Sequence, residues 1–380
     1  MNGIVDLLGL AVVLSGFYFL IAFFLGLFPE PKIIERFIKK PRVAVLIAMR
    51  NEQNYIADCL ASLKEQTYPA QLYDVLVLND ASTDDSPRIA RRFAEENAHI
   101  KLIDVKDNYA GLKGKMNVLA QGLKQIDHEI VLITDADCVV PNTWIENMVR
   151  YFTDHVGLVG GFTSLFPFGK LIISNNSKNL FARVQALDWA YLQTMNAFIS
   201  NAGKPISILG NNFGFRLKAY QQVGGFEKIG FSVTEDFALM EAIRRQTDWK
   251  IIHTIDPKTA IYSHPLPDLK SFFQQRLRWI KGGRSMRPWG YFVTIFSVIT
   301  HLAVIANLLL NQVSLFNLVP FLLLFTADLM VLLKPLRRLK IMGLLKDFLF
   351  FEIFYFVYLL IFSVFGIFNT NVIWKDRKLN

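Results

Sequence analysis

The stretch Ile130-Val131-Leu132-Ile133-Thr134-Asp135-Ala136-Asp137 decides how this chain folds. Its first five residues are apolar or β-branched and bounded by polar ones, so they form a strand buried on both faces. Two carboxylates follow at the carboxyl end, where a parallel sheet presents its ligand-binding groups. Val43–Ala48, Asp74–Leu78 and Ile100–Val105 read as strands of the same kind. Tyr55–Gln66, Ser86–Asn97, Lys115–Gln125 and Thr143–Thr153 read as helices, the last opened by Pro141 and a Thr143-x-x-Glu146 capping box. This alternation implies an α/β fold, a mostly parallel sheet with helices on both faces. Asp80, just past the second strand, then shares one edge of the sheet with Asp135 and Asp137.

Outward from this core the chain changes character. Ile4–Phe28 is apolar except for Asp6 and long enough to cross a bilayer. It lacks a basic leader and a small-residue cleavage site, so it reads as an anchor rather than a signal peptide. Gly290–Leu310, Ser314–Leu333 and Phe348–Phe368 are three more apolar segments near the roughly 20 residues a span requires. The chain therefore divides into an anchor (1–30), a cytosolic domain (31–265), an interfacial helix (266–287), membrane helices (288–370) and a tail (371–380).

Basic residues crowd the membrane boundaries. Lys32, Arg36, Lys39, Lys40 and Arg42 follow the first segment; Arg276, Arg278, Lys281, Arg284 and Arg287 precede the second; Lys334, Arg337, Arg338 and Lys340 follow the third. Such clusters mark the cytoplasmic face and attract anionic membrane lipids. They put the N-terminus outside and the main domain in the cytosol, at a plasma (inner) membrane. They also account for the net charge of +9. The main domain has no aromatic-interleaved basic stripe, which excludes nucleic acid as a partner. Three crossings after the domain would leave Lys375, Arg377 and Lys378 on the disfavoured side; a re-entrant or interfacial last segment would not. The two cysteines, Cys59 and Cys138, are too few for a disulfide framework, and no Cys or His pair has zinc-ligand spacing.

The carboxylates carry the chemistry. Two, placed as in Asp135-Ala136-Asp137, can share one divalent ion and a ribose hydroxyl, and a diphosphate needs such an ion to offset its charge. Elsewhere the same tripeptide is a solvated turn; its place after a buried strand favours the site. Asp80 suits a base or ribose contact, while Ser82 or Asp84 suits a helix cap. Thr234-Glu235-Asp236 precedes a helical run at Phe237–Gln246, where a carboxylate either caps the helix or acts as general base at a cleft rim; Asp236 is the candidate base. In Gln275-Arg276-Leu277-Arg278-Trp279, helical spacing projects Gln275, Arg278 and Trp279 together and sets Leu269, Phe273, Leu277 and Ile280 on the other face. The arginine can grip a diphosphate and the indole can wall a sugar ring, although an interfacial anchor would use the same residues. Lys178–Ser200 reads as an amphipathic helix covering the core or lying at the membrane, and Leu209–Arg216 as a cleft lining. Asp328 and Glu352 lie in apolar segments, where they mark function or are explained by snorkelling or by pairing with Lys334 and Arg337.

Together these motifs resemble those of the membrane-integrated family-2 glycosyltransferases: cellulose, chitin, hyaluronan and poly-N-acetylglucosamine synthases, and ceramide glucosyltransferase. The likeness runs from about Val43 to Gly283. It includes Ala48-Met49-Arg50-Asn51-Glu52, Asn79-Asp80-Ala81-Ser82, Gly114-Lys115-Met116-Asn117 and Gly224-Gly225-Phe226, and ends in Arg278-Trp279-x-x-Gly282. It implies a GT-A fold, an inverting single displacement, a UDP-sugar donor, a Mg or Mn ion and a saccharide or lipid acceptor. By the same resemblance Asp80, Glu52 and Lys115 contact the uridine. Asp135 and Asp137 hold diphosphate and metal, with Asp137 the direct ligand. Asp236 is the base, and Glu235, Gln275, Arg278 and Trp279 bind acceptor or diphosphate. Asn79 and Ala81 depart from the family's Asp and Gly. The Gln-x-x-Arg-Trp motif favours a processive or semi-processive synthase of a β-linked saccharide. Single-sugar transfer to a lipid is the alternative, and an inactive membrane scaffold a third. Nothing in the pattern specifies an oligomeric state.

Overall fold

A computed structural model describes residues 2–27, 30–105, 107–169, 179–283, 287–311, 314–365, 372–374 and 377–379. Helix α1 (Asn2–Gly26) leads into β1 (Val43–Met49), α2 (Ile56–Lys64), β2 (Tyr73–Asn79), α3 (Ser86–Glu96), β3 (Ile100–Asp104), α4 (Gly114–Leu123) and β4 (Ile130–Thr134). Each expected strand and helix in this half is present. Then come β5 (Cys138–Val139), α5 (Trp144–Val149), β6 (Val156–Gly160), β7 (Thr163–Ser164), α6 (Leu180–Asn201) and β8 (Asn212–Arg216). They are followed by α7 (Leu217–Gln222), α8 (Gly225–Ile229), α9 (Glu235–Gln246), β9 (Lys250–His253) and β10 (Ile261–Ser263). The last elements are α10 (Leu269–Gly282), α11 (Pro288–Leu310), α12 (Leu315–Arg338), α13 (Phe348–Phe365) and an antiparallel pair, β11 (Val372–Trp374) and β12 (Arg377–Leu379).

The main sheet has the order β3-β2-β1-β4-β8-β6-β9. Strands β3, β2, β1 and β4 are parallel, while β8 runs antiparallel to β4 and β6. Both faces are covered, which is why these strands read as continuous apolar runs. Val43, Val45 and Ile47 pack with α2 and α5, and Ala44 and Leu46 pack with α4 and α9. Each fully buried aliphatic side chain contributes about 1.5–3 kcal/mol. The strand order reverses between β1 and β4, and the crevice beyond their carboxyl ends is the place for a ligand.

Two local expectations change. Thr143 precedes α5 without a side-chain capping bond, and Glu146 pairs instead with Lys40, so no capping box forms. Helix α6 is buried nearly all round rather than amphipathic, as its place between the sheet and the membrane helices requires; Lys178 lies outside the described residues. Leu187, Trp189, Tyr191 and Phe198 share a core with α12 and α13. Helix α6 also makes three polar ties. Arg183 pairs with Asp347 at 2.7 Å, Asp188 pairs with Arg276, and the Tyr191 hydroxyl donates to Asp328 at 2.7 Å.

Among the described residues three helices are long and apolar enough to cross a membrane: Leu7–Gly26, Pro288–Leu310 and Leu315–Arg338. Glu30, just beyond α1, meets Lys334 at 3.1 Å and Arg338 at 3.0 Å, so α1 and α12 end on the same side. The fourth apolar segment forms α13, and β11 packs against α10. Lys375 and Arg284 lie outside the described residues. Asp328 does not snorkel or pair with Lys334 or Arg337. It is fully buried, accepts hydrogen bonds from Tyr18 at 2.9 Å and from Tyr191, and faces His301 Nε2 at 3.6 Å. Glu352 Oε1 is buried without a hydrogen-bond partner.

Candidate active site

The loops after β1 and β2 are laced together at the carboxyl edge of the sheet. Asn51 and Ala81 both hold left-handed backbone, with φ of 54° and 50°. Asn51 Oδ1 accepts from the Thr83 amide at 2.8 Å, the Glu52 amide donates to Ser86 Oγ at 2.7 Å, and Arg50 donates to the Asp80 carbonyl at 2.6 Å. Strain of this kind persists where surrounding bonds over-determine the backbone. The residue at 79 also has a physical reason to be Asn. Its amide donates to Asp104 Oδ1 at 2.7 Å, where a second carboxylate would be repelled. Asp84, not Ser82, takes the α3 amide: its Oδ1 accepts from Ser86 N at 3.0 Å.

Strand β4 delivers Asp135 and Asp137, and the first turn of α9 delivers Glu235 and Asp236. Lys115, from the first turn of α4, joins the two groups. Its ammonium lies 2.7 Å from Asp135 and 2.8 Å from Glu235, and donates to the Gly210 carbonyl at 3.0 Å. Burial alone would lower the Lys115 pKa, but Asp135 and Glu235 outweigh it and hold the ammonium well above its usual value. The Asp236 carboxyl is pushed up to about 7, first by burial and then by the neighbouring Glu235 charge; Lys115, the Phe237 amide and Arg278 pull the other way. Gly210 makes this approach feasible. A Cβ there would stand 2.8 Å from Asp236 Oδ2 and 3.1 Å from Glu235 Oε1. Cys59 and Cys138 are buried beside the aspartate pair, and burial raises both thiols well above their usual pKa, so they are inert packing groups.

Helix α10, N-capped by Asp268, presents Gln275, Arg278 and Trp279 to the same space. Gln275 Oε1 is buried without a protein partner. The opposite-face assignment holds for Phe273 and Leu277, which pack with Phe272 and Phe362, but Leu269 is 66% exposed and Ile280 also lines the cavity. Arg276 is not a lipid-facing cation: it is fully buried and paired with Asp188. The end of α10 lies flush against the start of α9, since a Cβ on Gly282 would collide with the Thr234 side chain.

Every residue singled out from the sequence as a site residue converges here. Glu52, Asp80, Lys115, Asp135, Asp137, Glu235, Asp236, Gln275, Arg278 and Trp279 line one cavity of about 1350 Å³. Leu209, Gly210 and Asn211 line it too, as expected of the 209–216 stretch, whose remainder is β8. Sequence reasoning missed His264, which lines the cavity and meets the Tyr55 ring at a tilt, centroids 4.6 Å apart. It follows β10, a three-residue strand of the small β5-β10-β7 sheet and too short to stand out in the sequence. The cavity continues along Phe17, Leu20, Ile21 and Phe24 of α1 and Trp289, Phe292 and Ile295 of α11.

A family model described as glycosyl transferase family 21 matches residues 10–380. The chain belongs to that family. The resemblance read from the motifs therefore stands: this is a GT-A glycosyltransferase with membrane helices. The family-21 chain is 25% identical over 262 residues to the poly-β-1,6-N-acetyl-D-glucosamine synthase of Staphylococcus epidermidis, covering 67% of this chain and 57% of that one. It is 26% identical over 264 residues to the β-monoglucosyldiacylglycerol synthase of Synechocystis, covering 67% and 50%. The chain thus spans little more than half the length of these curated relatives. Among solved structures, the Pyrobaculum calidifontis mannosyltransferase PcManGT, in complex with GDP-Man and Mn2+, superposes with a TM-score of 0.56 at 19% identity over 92% of this chain and 97% of that one.

Proposed function

We propose that this family-21 enzyme transfers one sugar from a UDP-sugar to a lipid acceptor at the cytosolic face of the plasma (inner) membrane. One observation carries the reading. The carboxylate cluster and the exposed apolar faces of α1 and α11 line a single continuous cavity, with Phe17 59%, Phe24 58% and Phe292 51% exposed. An acyl chain can lie along those faces while its polar end reaches Asp236.

The acceptor hydroxyl attacks the anomeric carbon, the bond from that carbon to the diphosphate breaks, and UDP leaves with the bonding pair. The hydroxyl proton passes to Asp236 and the anomeric configuration inverts. Asp80 and Glu52 take the uridine and its ribose. Arg278 grips the diphosphate. Trp279 walls the acceptor and Gln275 offers it an unpartnered carbonyl oxygen. Lys115 ties the donor-side Asp135 to the acceptor-side Glu235.

Among the described residues no group of three or more His, Cys, Asp and Glu side chains is placed to hold a metal. Asp135 and Asp137 still fit Mg or Mn, which bind through one or two carboxylates and complete their shell with water and substrate phosphate. Lys115 engages Asp135, and by the family resemblance Asp137 would be the direct ligand. Such an ion would supply counter-charge for the departing diphosphate.

The motif at Gln275–Trp279 and the likeness to a polysaccharide synthase favour a second reading, extension of a β-linked saccharide. The test is purified protein in phosphatidylcholine nanodiscs, with and without dioleoylglycerol, given radiolabelled UDP-glucose, UDP-N-acetylglucosamine, UDP-galactose or GDP-mannose. Label extracted into chloroform–methanol as a product with one sugar supports the lipid reading. A water-soluble ladder supports the second and refutes the first.

A further inference from the structure

We infer that Asp188 and Arg276 form a positioning pair that sets the acceptor wall Trp279, a role that rests on the proposed use of Trp279. Arg276 lines the same cavity as Trp279, and Asp188 lies outside its lining. Both are 0% exposed, and they form an ion pair between α6 and α10. The Arg276 guanidinium sits inside three rings, 4.2 Å from the Trp279 centroid, 4.6 Å from Phe272 and 5.4 Å from Tyr358 of α13. Trp279 in turn meets Trp189 of α6 at 5.7 Å. One guanidinium thus fixes the indole against α6 and ties α10 to the membrane segment α13.

The arrangement is a poor choice for stability alone. Arg276 Nε and Nη1 and Asp188 Oδ1 are buried without hydrogen-bond partners. A buried pair left this incompletely satisfied is matched or bettered by apolar residues of the same volume. What apolar residues would lose is direction. A cation over an aromatic face prefers one ring orientation, and a methionine prefers none as strongly. Arg276 and Trp279 are three apart on α10 and share a face, so the indole's rotamer is set by its own helix. The close contact of Gly282 with Thr234 carries that setting to the helix that bears Asp236.

The experiment uses the full chain in nanodiscs, labelled with 5-fluorotryptophan, the Trp279 resonance being identified by its loss in Trp279→Phe. Removing one charge can prevent folding, so the decisive variant replaces both: Asp188→Asn with Arg276→Met. It is expected to fold with the parent's melting temperature or above. Its Trp279 and Trp189 resonances should shift or split, and UDP-glucose affinity should be unchanged. In the transfer assay, acceptor KM should rise about tenfold with the donor KM constant. Arg276→Lys, which keeps the cation, should recover most of the acceptor affinity. Parental fluorine spectra in the double variant would overturn the inference, as would a loss of donor affinity equal to that of acceptor. The spectra need no acceptor, so they test the pair even if dioleoylglycerol receives no sugar and the lipid reading fails.

Discussion

On the proposed mechanism, the rate should fall on the acid side with the ionisation of Asp236. Its carboxyl titrates at about 7 because it is buried and stands beside Glu235. A general base works only when ionised. About half of it is available at pH 7 and about one-tenth at pH 6, so kcat/KM should fall tenfold per unit below 7 and level off above 8. Glu235→Gln removes the neighbouring charge but not the burial, so the limb should move down, yet stay above the usual 3.8. Lys115→Met should move it up. Stability runs the other way. The folded pKa lies above the unfolded one, so this group favours the fold fully below about 3.8 and that contribution is lost as pH rises through about 7. The assay is initial transfer rate from pH 5 to 9, with melting curves in the same buffers. A flat profile between 5.5 and 8.5, or an unmoved limb in Glu235→Gln, would refute both the assignment of the base and the origin of its proton affinity.

Three more outcomes rest on the geometry. Ala81→Gly relieves left-handed backbone and should stabilise the protein by about 0.5–1 kcal/mol in a urea titration, with turnover retained. Gly282→Ala would drive a methyl group into Thr234 and should lower the transfer rate at least tenfold while UDP-sugar affinity, read by calorimetry, stays at the parent's value. Excess EDTA should stop turnover and Mn2+ restore it, whereas Asp137→Asn should stay inactive at saturating Mn2+.

Much of the site was legible because parallel strands covered on both faces announce themselves as unbroken apolar runs. The residues immediately after such a run lie at the ligand edge, and Asp80, Asp135 and Asp137 were read that way. The rest depends on pairings that no local pattern encodes. Arg276 looked like another basic residue at a membrane boundary, and its partner Asp188 is 88 positions away. Asp328 reads equally as a functional acid or as one that snorkels or pairs with Lys334 and Arg337, yet its partners lie 310 and 137 positions away. The α10 faces were half right because that helix packs on several sides, so Leu269 could be exposed and Ile280 turned to the cavity.

Helix α6 is fastened through Arg183, Asp188 and Tyr191 to Asp347 ahead of α13, to Arg276 of α10 and to Asp328 of α12. These ties couple the sheet to α10 and α12 and, on the proposed function, hold the chemistry at a set height relative to the apolar helices. On that proposed function, the lipid acceptor must rise to meet it. Bilayer thickness then becomes a kinetic variable: longer phospholipid tails should slow the enzyme without changing its fold.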